Sequence, residues 1–215
     1  MSQYKCVIFD CDGVLVDSEP IGNQILVDMA NHLGANIDLT FAMKHFKGSH
    51  FKECVGIIGK LVSKPIPDTF EAEYRRRSLE AFERYLKPIE GVTQVIEQLL
   101  LPFCVASSGM ESKMKFNLNL VGLLPYFENK LFSCYTIQKF KPEPDVFLWA
   151  AKTMGFQPHE CVVIEDSVLG VQGALKGGFD VFGFTAHDYD SELEGLATKT
   201  FDDMDKLLSL IISNV

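Results

Sequence analysis

Short apolar runs rich in β-branched and aromatic residues alternate with stretches of helical periodicity along most of the chain. Runs of this kind, bounded by turn residues, predict strands at 5–10, 103–108, 131–135, 161–166 and 181–185. Helical patterns lie between most of them, at 92–101, 112–123, 145–154 and 169–176. Regular alternation of strand and helix predicts an α/β fold with a parallel sheet, helices on both faces and right-handed crossovers.

Residues 18–87 interrupt this rhythm. They carry helical patterns at 21–33, 51–61 and 70–86 and no convincing strand, and Pro20 and Pro88 lie near the two ends. The sequence therefore predicts an α/β core built from residues 1–17 and 88–215, with a helical domain of residues 18–87 inserted after the first strand.

Composition and charge restrict the class of partner. The chain of 215 residues is 47% hydrophobic and 23% charged, with a formal net charge of −9, which is typical of a globular protein. Its densest basic run, Arg75–Arg77, has acids on both sides and is predicted to be a solvated helix face. Nucleic-acid binding is disfavoured because it needs a basic surface, whereas a small anionic ligand needs only a local positive site.

Cysteine usage and hydropathy indicate the compartment. Six cysteines without CxxC spacing, several of them inside apolar runs, predict buried reduced thiols. The first residues, MSQYK, do not resemble a signal peptide, and no apolar stretch approaches membrane-spanning length. We expect a cytoplasmic protein without membrane contacts, either a monomer or a weak homo-oligomer.

Polar residues collect where the predicted strands end. In an open α/β sheet, ligands bind outside the carboxyl ends of the strands. Those ends carry one ordered set of chemically useful side chains and glycines: Asp10, Asp12 and Gly13, then Ser107, Ser108 and Gly109, then Lys141, and finally Glu165 and Asp166.

This set fits phosphoryl transfer through an acyl phosphate. Asp10 is the candidate nucleophile and, with Asp166, a candidate Mg²⁺ ligand, because a cation is needed to bring a carboxylate to a phosphate. Asp12 would point to the same side of an extended chain and could donate and accept the proton. Lys141 could neutralise developing charge, and Ser107 with the following amides could hold phosphate oxygens. Each motif alone has a plainer explanation as a turn, a helix cap or a solvated loop, but four of them in this order at strand ends argue for a site.

The ordered motifs resemble those of the haloacid dehalogenase superfamily of phosphatases over nearly the whole chain. Its four motifs correspond here to the segment DCDGV beginning at Asp10, to Ser107, to Lys141 and to the pair Glu165-Asp166. The resemblance implies a Rossmann-like core with strand order 5-4-1-2-3, a small helical cap inserted after the first motif, and dependence on Mg²⁺. It also implies that Asp10 is the nucleophile, that Asp12 is the acid and base and binds the metal through its backbone carbonyl, and that Glu165 supports the metal through water.

Within the superfamily, GVLVDSEP and KPEPD are similar to the branch of β-phosphoglucomutases and sugar-phosphate phosphatases. The mutases carry a His and an Arg where this chain has Gly22 and Phe51, which favours a phosphatase and leaves a phosphosugar mutase as the alternative enzyme. The segments FKG, IEG and NKLFSCYTIQKFKPEP resemble phosphatases that act on the sugar acid 6-phosphogluconate, and so a phosphorylated sugar or sugar acid is the expected small-molecule substrate.

The segment KHFKGSHFK, residues 44–52, is predicted to bring the cap to the substrate. Lys47, Gly48, Ser49 and His50 are the candidate contacts, although Lys47 and His50 could equally be surface residues of a cap helix. A different class of function, a phospho-accepting signalling module similar to receiver domains, also uses Asp, Ser or Thr, Lys and Mg²⁺. Such modules lack a second acid like Asp12 and lack the insert at 18–87, and both features argue for an enzyme.

Overall fold

A computed structural model describes residues 4–188 and 190–212 and contains one six-stranded sheet. All neighbouring strands are parallel, in the order β3-β2-β1-β4-β5-β6. This confirms the α/β class and the predicted order 5-4-1-2-3, and it adds a sixth strand at one edge that was too short for the sequence pattern to indicate. The strands are β1 (Cys6–Phe9), β2 (Phe103–Ser107), β3 (Leu131–Ser133), β4 (Cys161–Glu165), β5 (Asp180–Phe184) and β6 (Lys199–Phe201).

Ten α-helices accompany the sheet in the described ranges. They are α1 (Glu19–His32), α2 (Leu39–His45), α3 (Phe51–Leu61), α4 (Phe70–Tyr85), α5 (Val92–Gln98), α6 (Glu111–Leu120), α7 (Cys134–Ile137), α8 (Asp145–Met154), α9 (Val168–Lys176) and α10 (Leu207–Ile212).

Two local differences from the sequence prediction have clear causes. The predicted strand at 131–135 ends at Ser133, because the Ser133 hydroxyl accepts a hydrogen bond from the Tyr135 amide and so caps α7. Helix α2 was not predicted. Its seven residues are too few to show a periodic pattern, and its start is fixed by Asp38, whose carboxylate accepts from the Phe41 amide at 2.8 Å.

Helices cover both faces of the sheet, and each strand contributes buried side chains to both, because successive side chains point to opposite sides. One face, with Val7, Phe9 and Ile164, packs against α5, α6 and α10. The other face, with Ile8 and Val163, packs against α8 and α9. The polar side chains at the carboxyl ends of the central strands are therefore held by a sheet that is packed on both sides.

Helices α1 to α4 lie between β1 and α5 and have a hydrophobic cluster of their own, formed by residues between 25 and 74. The two chain segments that join this region to the sheet run side by side. The Asp17 amide donates to the Lys87 carbonyl at 3.0 Å, and the Ile89 amide donates to the Leu15 carbonyl at 3.1 Å. The predicted domain boundaries at 17/18 and 87/88 fall at this crossing, and the division into two domains stays a prediction.

All six cysteines are buried and free, as predicted. Cys11, between the two acids of the first motif, packs into the sheet core and takes no place among the polar groups. Among the described helices, none combines the length and the apolar character that crossing a bilayer requires.

Candidate active site

The predicted motif residues meet at the carboxyl ends of three neighbouring strands. Asp10 follows β1, Ser107 ends β2 and Glu165 ends β4, and these strands are adjacent in the sheet. The helices before β2 and β3 lie on one face and those before β4 and β5 on the other, so the site lies at the topological switch point. A cavity of about 440 Å³ opens there, and its lining includes Asp10, Asp12, Ser107, Ser108, Gly109 and Lys141.

Lys141 joins two of the acids in a buried ionic cluster. Its Nζ lies 2.7 Å from Oδ1 of Asp10 and 2.5 Å from Oε1 of Glu165. Burial would lower the pKa of Lys141, but the two carboxylates outweigh it and the pKa lies above its ordinary value. Burial and the neighbouring acids raise the pKa of Asp10, against the attraction of Lys141. The lysine thus remains charged and is aimed at the carboxylate that was predicted to attack phosphorus.

Glu165 is a fully buried carboxylate that organises the turn after β4. Its Oε2 accepts hydrogen bonds at 2.9 Å from the Asp166 amide, the Ser167 amide and the Ser167 hydroxyl. Helix α9 leaves room for the Glu165 side chain only because residue 170 is a glycine. A Cβ atom at this position would lie 1.8 Å from Glu165 Oε1. With both oxygens engaged, Glu165 positions Lys141 and Asp166, which suits the indirect metal role implied by the family resemblance better than direct ligation.

Oxygen atoms of Asp10, Glu165 and Asp166 lie within 4.8 Å of one another and form a candidate metal site. A donor set of carboxylate oxygens alone matches Mg²⁺ rather than a softer transition metal. Buried Oδ2 of Asp166 lies 3.0 Å from Lys47 Nζ and has no other polar partner among the described residues, so a cation there would share this oxygen with the lysine. Gly13 makes space beside it, since a Cβ at residue 13 would lie 2.2 Å from this oxygen. The residues present therefore fit a magnesium ion.

Asp12 is held by two donors. Ser18 Oγ donates to its Oδ1 at 2.5 Å, and Lys113 Nζ lies 3.0 and 2.9 Å from its two carboxylate oxygens. Burial would raise the pKa of Asp12, but Lys113 and the Ser18 hydroxyl bring it below its ordinary value. Asp12 and Asp10 line the same cavity, as their spacing in an extended chain predicted.

The Ser107 region offers polar groups without a charge. Ser107 is buried, and its Oγ accepts from the Gly109 amide at 3.0 Å. A Cβ on Gly109 would come within 3.5 Å of Asp12 Oδ2, so this turn lies directly beside the acid. Ser108 lines the cavity in the same turn, ahead of α6.

The four predicted cap contacts separate into two groups. Gly48, Ser49 and His50 line the cavity that Asp10 and Asp12 also line, and Ser49 borders a second cavity as well. Lys47 lines this second cavity of about 340 Å³, and its Nζ lies 3.0 Å from Asp166 Oδ2. Lys47 thus lies beside the candidate metal site, and its role as a substrate contact remains a prediction.

The lining of the cavity also includes residues that the sequence did not predict as contacts, among them Glu19, Tyr74, Lys113 and Tyr135. Burial, with Asp166 and Asp12 nearby, raises the pKa of Glu19 to about 7. The letters DSE directly after the first motif could have indicated Glu19. Lys113 lies in a predicted helix and Tyr135 ends a predicted strand, and neither pattern distinguishes them from their neighbours. Only the packing of α6 and α7 against the insert brings them to the cavity.

The three consecutive arginines, Arg75–Arg77, point to more than one surface. Arg76 and Arg77 pair with Glu73 on the solvated side of α4, as predicted. Arg75 pairs with Glu71 on the same helix, but its side chain is less exposed and also lines the cavity. Adjacent helix residues differ by about 100° in direction, so a run of three like charges reaches more than one surface.

Comparison with known proteins agrees with this geometry. The family described as haloacid dehalogenase-like hydrolase matches residues 4–178. The chain is 35% identical over 212 residues to the 6-phosphogluconate phosphatase of Escherichia coli, covering 98% of this chain and 96% of that protein. It is 28% identical over 180 residues to the fructose-1-phosphate phosphatase of the same organism, covering 83% and 95% of the two chains.

Solved structures give the same result. A haloacid dehalogenase-like protein from Agrobacterium tumefaciens superposes with a TM-score of 0.88 at 32% identity, covering 98% of both chains. A family hydrolase from Deinococcus radiodurans, solved with bound phosphate and sodium, gives a TM-score of 0.80 at 27% identity and covers 98% of this chain and 96% of that one. The prediction of a phosphatase is confirmed. The chain belongs to the haloacid dehalogenase-like hydrolases.

Proposed function

We propose that the protein hydrolyses the phosphate monoester of a sugar or sugar acid, with 6-phosphogluconate as the leading substrate, through an aspartyl phosphate on Asp10. The observation that carries this proposal is the convergence of Asp10, Asp12 and Lys141 on one cavity at the switch point of the sheet. The relatives named for sugar-phosphate substrates support the substrate class.

In the first step, a carboxylate oxygen of Asp10 attacks phosphorus while the bond from phosphorus to the ester oxygen breaks. Asp12 takes up a proton before this step and gives it to the departing sugar oxygen, so the sugar leaves as a neutral alcohol. Lys141, which holds Oδ1 of Asp10, fixes the orientation of the nucleophile and offsets negative charge as the new bond forms. Ser107 and the amides that follow it are placed to bind phosphate oxygens.

In the second step, Asp12 takes a proton from water, the resulting hydroxide attacks phosphorus, and the bond between phosphorus and Asp10 breaks. Inorganic phosphate leaves and the Asp10 carboxylate is restored. Lys113 and Ser18 favour the anionic form of Asp12 that this step needs. Asp10 and Asp166, with the Asp12 carbonyl, would hold Mg²⁺, which when bound lowers the repulsion between the carboxylate and the phosphate.

The test is phosphate release from a panel of metabolites in the presence of Mg²⁺. The panel holds 6-phosphogluconate, fructose 1-phosphate, glucose 6-phosphate, sorbitol 6-phosphate and β-glucose 1-phosphate. We expect turnover of sugar phosphates by the wild type, none after addition of EDTA, and a loss of at least about 10³-fold in Asp10→Asn. Asp68→Asn, the same change at an exposed position, is the control and should retain full activity.

Each alternative has its own signature. Persistent turnover in Asp10→Asn would refute the covalent mechanism. Isomerisation of β-glucose 1-phosphate without phosphate release would identify a phosphosugar mutase. Slow autophosphorylation with no turnover of any substrate would indicate a phospho-accepting module.

A further inference from the structure

We propose that Arg75 binds a carboxylate group of the substrate and thereby gives the enzyme a preference for phosphorylated sugar acids over neutral sugar phosphates. This inference rests on the proposed phosphatase function and assigns its specificity to one side chain of α4. It differs from the expectation that Lys47 supplies the cation for a sugar acid.

Arg75 is a fixed part of the cavity wall. Its Nε and Nη2 donate to Glu71 Oε1 at 3.0 and 2.5 Å, and its guanidinium carbon lies 6.0 Å from the centre of the Phe51 ring. Its side chain is 34% exposed, compared with 56% for Arg76 on the same helix. Binding a ligand to a guanidinium that is already held in place costs little additional side-chain entropy.

The charge balance of the cavity singles out Arg75 among the cationic residues that line it. Lys141 and Lys113 are engaged by the catalytic acids Asp10 and Asp12 at 2.7 and 2.9 Å. Arg75 instead pairs with Glu71, whose side chain is 48% exposed and does not line the cavity. The positive charge of Arg75 is therefore the one that faces the ligand without a catalytic carboxylate in front of it.

The other two candidates for binding a carboxylate are less suitable. Lys47 lies beside Asp166 and donates to the His187 carbonyl at 3.2 Å, in a different cavity. Burial lowers the pKa of His50, so that imidazole is neutral at neutral pH. His50 also uses Nδ1 to accept from the Lys52 amide, which caps α3.

Tyr135 completes the proposed subsite beside Arg75, because its hydroxyl accepts a hydrogen bond from the Arg75 guanidinium. It lines the cavity from α7 of the sheet domain, while Arg75 comes from the helical insert. Its ring lies 5.5 Å from that of His50 and 5.1 Å from that of Phe140, which fixes its position. A guanidinium and a phenol hydroxyl together offer charge-assisted and neutral donors, which suits a carboxylate better than the hydroxyl of a neutral sugar.

The test compares two substrates that differ at one carbon. In 6-phosphogluconate that carbon is a carboxylate, and in sorbitol 6-phosphate it is a hydroxymethyl group. For Arg75→Met we expect KM for 6-phosphogluconate to rise by about 10- to 100-fold, while kcat/KM for sorbitol 6-phosphate changes by less than about 3-fold. Arg75→Lys, which keeps the charge but loses the planar fork, should give an intermediate KM, and Arg76→Met is the matched control on the same helix.

The outcomes separate the two proposals. If Arg75→Met lowers kcat/KM equally for both substrates, or for neither, the assignment of specificity to Arg75 is overturned while the phosphatase proposal stands. The same holds if the wild type turns over both substrates with equal kcat/KM. If the wild type releases phosphate from neither substrate nor from the rest of the panel, the proposed function itself fails. Tyr135→Phe gives a second test that removes one oxygen atom, and a KM for 6-phosphogluconate that it leaves unchanged would remove Tyr135 from the subsite.

Discussion

Replacing Lys141 by Met should destabilise the fold as well as abolish turnover. The lysine side chain is 2% exposed, and its Nζ lies 2.7 Å from Asp10 and 2.5 Å from Glu165. Met fills most of the same volume but carries no charge, so two carboxylates would remain buried without their cation. Breaking a buried ion pair from one side costs about 3–5 kcal/mol of the free energy of unfolding. Proton uptake by one acid limits the cost, so we expect a loss within this range rather than twice as large.

The assay is urea unfolding followed by the fluorescence of Trp149, the single tryptophan, whose ring packs 4.8 Å from Phe132. With a slope of about 2 kcal/mol per M urea, the expected loss moves the midpoint down by roughly 2 M. EDTA is present throughout, because a divalent cation would replace part of the missing positive charge. Lys176→Met is the matched control: its partner Glu143 lies at 2.8 Å, but both side chains are at least half exposed, and its midpoint should not move.

The pH dependence follows from the same geometry. Burial already raises the pKa of Asp10 in the folded protein, and loss of Lys141 removes the main opposing attraction and raises it further. A carboxylate whose pKa is higher in the folded than in the unfolded state destabilises the fold above that folded pKa. The penalty declines as the pH falls towards the unfolded pKa. The difference between Lys141→Met and the wild type should therefore be smaller at about pH 5 than at about pH 8. Equal midpoints for the wild type and Lys141→Met, or a difference that does not change with pH, would refute the reasoning.

Three further predictions concern the metal, the acid–base group and the turn after β4. Mg²⁺ should raise the melting temperature of the wild type and EDTA should reverse the rise, whereas a melting temperature indifferent to both would argue against the metal site. In Lys113→Met the limb of the pH–rate profile that reports Asp12 should move to higher pH, since the lysine lowers the pKa of Asp12; an unmoved profile with normal rates would contradict this. Gly170→Ala, whose methyl would lie 1.8 Å from Glu165 Oε1, should lower the free energy of unfolding by about 1–3 kcal/mol or more, whereas Gly56→Ala on exposed α3 should leave it unchanged or slightly higher.

Much of the fold could be predicted because its determinants are local. Buried parallel strands are continuous apolar runs, and the crossover helices between them show helical periodicity, so five of the six strands followed from the sequence pattern. Their order in the sheet was implied by the family resemblance and not by the pattern. Strand β6 and helix α2, of three and seven residues, were missed because neither segment shows a clear periodic pattern in the sequence. Strand β3 was predicted too long because the cap on α7 depends on one hydroxyl that the hydrophobic pattern does not register.

The candidate active site was also predictable, for a geometric reason. The carboxyl ends of parallel strands lie along one edge of the sheet, so residues at those ends converge whatever their separation in the chain. Asp10, Ser107 and Glu165 thus come together from three strands without any contact information.

The part of the cavity lining that contains Arg75 could be identified only from the tertiary structure. Arg75 is one of three consecutive arginines with acids before and after them. Only the packing of α4 over the cavity distinguishes it from Arg76 and Arg77. Lys113 meets Asp12 across 101 positions of sequence, and Lys47 meets Asp166 across the boundary between the insert and the sheet. Such contacts depend on how α1 to α4 pack against the sheet and its helices, which is a sum of many weak interactions. The sequence by itself therefore determined which residues supply the reaction chemistry, because the ends of parallel strands bring those residues together. The packing of the insert on the sheet determined which cation faces the substrate.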